Sequence, residues 1–170
     1  MKKKIKGFFS VLFSIFFSLL LAISMISLVP LIFIHALHEN VRIPNIGFIS
    51  GDGLALFLDS WYFFALVGAI VLIPLLCIVL LNTHHIRRAF LAVGCSAIMS
   101  ALAVFAMAIF RTWIFKALSG EWQDALVNST AVFGDLGIIC SVALILIGVT
   151  CVSIYSCIAV VTGGKHEKNN

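Results

Sequence analysis

Asn82-Thr83-His84-His85-Ile86-Arg87-Arg88 is a polar knot between two uninterrupted apolar runs, residues 61–81 and 89–110. Each run has about the 20 residues that a helix needs to span about 30 Å of hydrocarbon. Short loops that carry Arg stay on the cytoplasmic side of a membrane, so Arg87 and Arg88 orient the knot inward. One helical hairpin then precedes the knot and one follows it, which brings both termini to the cytoplasmic side.

The chain of 170 residues is 62% hydrophobic and 11% charged, with a mean hydropathy of +1.19. A soluble domain of this size has too much surface for its volume to hide so many apolar side chains, so lipid must serve as solvent. The expected fold class is all-α, a four-helix transmembrane bundle with short amphipathic helices in the outward loops. Its membrane helices fall at about residues 7–35, 61–81, 89–112 and 131–162, and residues 163–170 read as a disordered cytoplasmic tail.

The net charge of +4 follows from topology and calls for no nucleic-acid partner. Lys2, Lys3, Lys4, Lys6, Arg87, Arg88, Lys165 and Lys168 lie on one side with Glu167 as their acid. Arg42, Arg111 and Lys116 share the other side with Glu39, Asp52, Asp59, Glu121, Asp124 and Asp135. That asymmetry is the positive-inside pattern.

The basic N-terminus followed by apolar residues starts like a signal peptide. The apolar stretch is much longer than the about 7–15 residues of a signal core, so a retained first helix is expected. On it Ser10, Ser14, Ser18 and Ala22 recur every four residues, a stripe on which another helix can approach closely. Phe9, Phe13 and Phe16 point the other way, and Pro30 is expected to kink the outer end. In the first outward loop Pro44, Gly47, Gly51 and Gly53 are expected to break the chain into turns. Trp61 and Tyr62 suit the headgroup level, and Pro74 interrupts the second helix.

The third helix carries Ala92, Ser96 and Ser100, and also Ala97 and Ala101, which makes it the expected centre of the bundle. Ile114, Phe115 and Leu118 would extend it beyond the membrane, and Trp122, Ala125 and Leu126 mark a short amphipathic helix after Ser119-Gly120. Gly134, Gly137, Ser141 and Gly148 are the close-packing positions of the fourth helix. Residues 50–60 also align without gaps on residues 119–129, which raises the expectation of a duplicated hairpin in which Phe64 matches Phe133 and Gly68 matches Gly137.

Residues that carry chemistry are sparse. His35, His38 and Glu39 form the one metal-like group: imidazoles three apart share a helix face, and a carboxylate adds an oxygen ligand. The same residues also suit an ordinary polar helix end at the membrane surface, so no metal or other cofactor is expected. Cys77, Cys95, Cys140, Cys151 and Cys157 all lie inside apolar runs and read as packing residues. Haem would need histidines at matching depths on different helices, and the third and fourth helices have none. Gly134-Asp135 lacks the preceding glycine of the intramembrane aspartyl protease stretch, and no second intramembrane Asp exists. No P-loop, G-x-S-x-G or H-E-x-x-H is present. Arg111 and Asp135 both stand near the outer boundary, where a lone charge is costly, so an ion pair between them is expected.

These observations point away from an enzyme. They fit a bacterial inner-membrane protein that binds another membrane protein or itself, as an accessory subunit or an immunity protein against a membrane-inserting toxin would. A small oligomeric transporter or channel component is the alternative.

Overall fold

The computed structural model describes residues 2–38, 50–83, 86–117 and 129–167, with side chains over 11–37, 50, 52–83, 86–117 and 129–160. These residues form α1 (Lys2–His38), α2 (Gly51–Asp59), α3 (Trp61–Leu81), α4 (Ile86–Ile109), α5 (Arg111–Ala117) and α6 (Thr130–Glu167), and among them there is no strand. Four segments are long and apolar enough to cross a membrane: Val11–Leu37, Trp61–Leu81, Ile86–Ile109 and Thr130–Val160. The shortest has 21 residues, about 31 Å of helix at the usual rise.

The helix ends follow local chemistry. At the polar knot the Asn82 side chain turns back and its Nδ2 donates to the Ile78 carbonyl at 2.9 Å, while its backbone N–H reaches the Ile78 and Val79 carbonyls. These bonds satisfy carbonyls that the end of α3 would otherwise leave open. α4 then starts at Ile86, three residues before the expected Ala89, so Arg87 and Arg88 belong to its first turn. Their long side chains reach solvent without breaking the helix.

At the start of α2 the Ser50 Oγ accepts from the Gly53 N–H at 3.1 Å, a side-chain cap with Asp52 in the first turn, where the helix dipole favours an acid. Gly51 and Gly53 therefore lie inside a helix instead of breaking the loop into turns. A Cβ on Gly53 would sit 3.0 Å from that Oγ, so the glycine leaves the cap its room. Pro44 and Gly47 lie outside the described residues, as do Leu118, Ser119 and the helix expected around Trp122.

Two expected boundaries move. The third membrane helix does not run on through Arg111: one non-helical residue, Phe110, separates α4 from α5. The Arg111 Nη1 donates to the Ala108 carbonyl at 2.9 Å and so closes the C-terminal end of α4. The fourth runs to Glu167, past the expected stop at residue 162. Glycines alone weaken a helix by about 1 kcal/mol each, and no proline follows to end it.

α4 is the inner helix. It packs most extensively on α6 and also on α1, while α3 lies mainly against α1. Apolar clusters join these pairs at both ends. Leu21, Ile78 and Ala89 knit α1, α3 and α4 near the knot; Val29, Phe33, Val104, Phe115 and Phe133 knit α1, α4, α5 and α6 at the far end. There the rings of Phe33 and Phe133 meet edge to face at 5.0 Å. Most other large apolar side chains face outward. Trp61, Tyr62 and Trp113 are about as exposed as residues can be, at 80%, 76% and 80%, and stand toward the far end as an interfacial aromatic belt does.

The duplicated-hairpin alignment finds mixed support. α3 and α6 start at equivalent positions, Trp61 and Thr130, yet aligned residues do different work. Phe133 is buried where its match Phe64 is exposed, and Gly137 lies against Ala108 where Gly68 has open space. Ser119 lies outside the described residues.

Candidate functional site

Two seams hold the inner helix. On the first, α1 and α4 run parallel with their small-residue stripes in register. Ser18 Oγ and Ser96 Oγ are 2.7 Å apart, Ser96 Oγ also lies 2.9 Å from the Ser18 carbonyl, and Ser100 Oγ reaches the Ala22 carbonyl at 3.1 Å. Both cross-helix pairs are separated by 78 residues, so two four-residue stripes meet step for step. Each hydroxyl has one proton, so Ser96 shares it among Ser18 and the Ala92 carbonyl at 2.8 Å within its own helix. Ser14 continues the seam by accepting from Asn82 Nδ2 at 3.2 Å. Nothing is described of the Ser10 side chain.

On the second seam α4 meets α6 through Gly94, Ala97, Ala101, Val104 and Ala108 against Gly134, Gly137, Ser141 and Gly148, nearly all of them buried. A Cβ on Gly94 would stand 3.0 Å from the Gly148 carbonyl oxygen, and one on Gly137 would stand 2.8 Å from Ala108 Cβ. Ser141 is buried too and turns its hydroxyl to the Ile138 carbonyl at 2.8 Å. Gly94 escapes a sequence search for four-residue stripes because it belongs to a seam with steps of three and four.

Where the first seam reaches the knot, the helices part around a cavity of about 610 Å³, within the range of small-molecule sites. α1 contributes Val11, Ser14, Ile15 and Ser18, one helical face; α4 contributes Arg87, Arg88, Leu91, Ala92 and Cys95; Asn82 and Tyr155 complete the wall from α3 and α6. The lining thus mixes two guanidinium groups and the Tyr155 phenol with aliphatic side chains, while the Asn82 amide protons and the Ser18 hydroxyl are already bonded within the bundle. Such a wall suits an anionic, partly apolar ligand. Of its polar members, Arg87, Arg88, Ser14 and Ser18 stand out in the sequence. Tyr155 has a signal that stripe reading passes over, a phenol inside an otherwise apolar run.

The other sequence candidates lie elsewhere. The His35 ring stacks on Phe63 at 5.2 Å and meets Phe64 edge to face at 5.3 Å, at the opposite end of the bundle. His38 ends α1 with nothing described of its side chain, and Glu39 lies outside the described residues. Among the described residues no three His, Cys, Asp or Glu gather as metal ligands, and the five cysteines are free thiols.

Arg111 and Asp135 come to the same end but do not form the expected ion pair. The guanidinium lies over Gly134, where a Cβ would be 2.6 Å from Nη1, and bonds to the Ala108 carbonyl; the Asp135 side chain is exposed. A carbonyl at the helix end, within reach and shielded from water, competes well with a hydrated carboxylate.

No family model, no curated protein and no solved structure matches this chain.

Proposed function

We propose that this chain is a bacterial inner-membrane protein of two helical hairpins, with both termini cytoplasmic, that works by binding and not by catalysis. Its role is that of a small membrane-complex subunit or an immunity protein against a membrane-inserting toxin. The observation that carries this reading is the use of the interhelical polar groups. Ser18, Ser96, Ser100 and Asn82 bond across to neighbouring helices or back along their own, so the interior is a packed joint. The surface left for a partner is apolar, notably the groove of Leu12, Phe13, Phe16 and Leu19 on the outer face of α1. The orientation draws on the basic residues of the knot and tails.

The alternative, a transporter or channel component that works as an oligomer, takes support from the cavity beside Arg87 and Arg88. Gentle detergent extraction followed by identification of co-purifying proteins separates the two. A stoichiometric membrane partner, with no solute flux from purified protein in liposomes, supports the binding role; flux from the purified protein alone ends it. Reporter fusions after Arg88 and after Lys165 should behave as cytoplasmic and a fusion near Gly47 as external. An external C-terminus would end the two-hairpin topology.

A further inference from the structure

We propose that the cavity at the knot is a binding site for an anionic phospholipid of the surrounding bilayer. The site has the two ends such a lipid requires. Arg87 and Arg88 line it at the charged end of α4, both exposed and both able to bond a phosphate oxygen. Tyr155 lines it from α6 as a further hydroxyl donor, while Asn82, whose two Nδ2 protons go to Ser14 and the Ile78 carbonyl, holds the helices that frame it. Val11, Ile15 and Leu91 form the apolar part, on stretches of α1 and α4 that lead into the membrane-spanning segments.

Charge complementarity selects the lipid class. Among the described residues no acidic side chain lines the cavity, and the N-terminal segment adds Lys2, Lys3, Lys4 and Lys6 to the same end of α1. Basic pockets between membrane helices on the cytoplasmic side hold anionic headgroups for this reason. A zwitterionic headgroup would bring its own cation toward two guanidinium groups and lose the advantage. The cavity opens to the outside of the bundle, so a lipid enters sideways from the bilayer with its chains still in hydrocarbon. This inference does not rest on the binding role proposed above, since a subunit and a transporter alike can carry a structural lipid.

The test uses the full chain, reconstituted in nanodiscs of equal phosphatidylglycerol and phosphatidylcholine, re-extracted in mild detergent and weighed by native mass spectrometry. The wild-type chain is expected to retain phosphatidylglycerol in preference. Arg87→Gln with Arg88→Gln should cut that preference by about thirtyfold, the weight of two basic residues at an anionic surface. Cys95→Trp keeps both arginines and the topology but fills the cavity from an exposed position of its wall, and it should lower phosphatidylglycerol retention as well. Lys165→Gln with Lys168→Gln removes two basic charges that the topology assigns to the same membrane side and should change nothing.

Equal retention of the two lipids by the wild-type chain overturns the proposal. Equal losses in the arginine and lysine variants also overturn it, since they would report diffuse surface charge. Full retention in Cys95→Trp overturns it because the cavity would then be irrelevant. Displacement of the lipid by inorganic phosphate, with phosphate retained in its place, would assign the site to a soluble phosphorylated ligand and likewise overturn it.

Discussion

α4 meets α1 through hydroxyls spaced four apart and α6 through small residues spaced three and four apart. The spacing decides how far each contact can run. A helix turns about 100° per residue, so four-residue steps drift about 40° round the axis each time, and a stripe such as Ala92, Ser96, Ser100 leaves its partner within a few turns. Alternating steps of three and four drift only about 10° per step and keep facing the same neighbour. α4 accordingly packs far more extensively on α6 than on α1. Past the serine stripe, the hydroxyls of Ser24 and Ser27 bond back to carbonyls of α1 itself, those of Leu20 and Ile23. The long seam supplies close approach, and the short one supplies register.

The strongest way to break this comparison is Gly148→Val. A Cβ there would stand 2.6 Å from Ile98 Cγ1 and 3.0 Å from the Gly94 carbonyl, and backbone cannot move aside as a flexible side chain can. Overpacking of this kind destabilises by about 1–3 kcal/mol. Thermal unfolding in mild detergent should show a clear drop in midpoint; an unchanged midpoint would mean that the α4–α6 seam is looser than its geometry.

Ser18→Ala with Ser96→Ala removes the hydroxyl pair of the other seam while leaving its shape intact. Interhelical hydrogen bonds in membranes average about 0.6 kcal/mol, so the loss should be smaller than for Gly148→Val. If register is the role of this seam, cysteines placed at Ala22 and Ser100 in that background should also cross-link less selectively over neighbouring positions. A loss larger than that of Gly148→Val would reverse the ranking of the two seams.

The smallest effect belongs to Gly68→Ala on α3. No atom lies within 4 Å of a Cβ built there, and alanine is the better helix former. Stability should stay level or rise slightly by the same assay. A marked loss would show that a neighbour covers this face of α3, which would favour a partner or a second copy of the chain.

The sequence by itself determined the number of membrane helices, the aromatic positions at Trp61 and Tyr62, and the small-residue stripes as packing surfaces. Each of these is local: hydropathy, side-chain size and hydrogen-bonding capacity act through lipid and water, which are the same for every chain. The tertiary structure decided which stripe meets which, and so joined Ser18 to Ser96 and Gly94 to Gly148. It also turned Arg111 toward Ala108 instead of Asp135 and opened the cavity between α1, α4 and α6. In a bilayer an apolar face gains little by leaving lipid for another helix, so hydropathy drives insertion but does not choose partners. That choice falls to shape and hydrogen bonds between residues far apart in the chain.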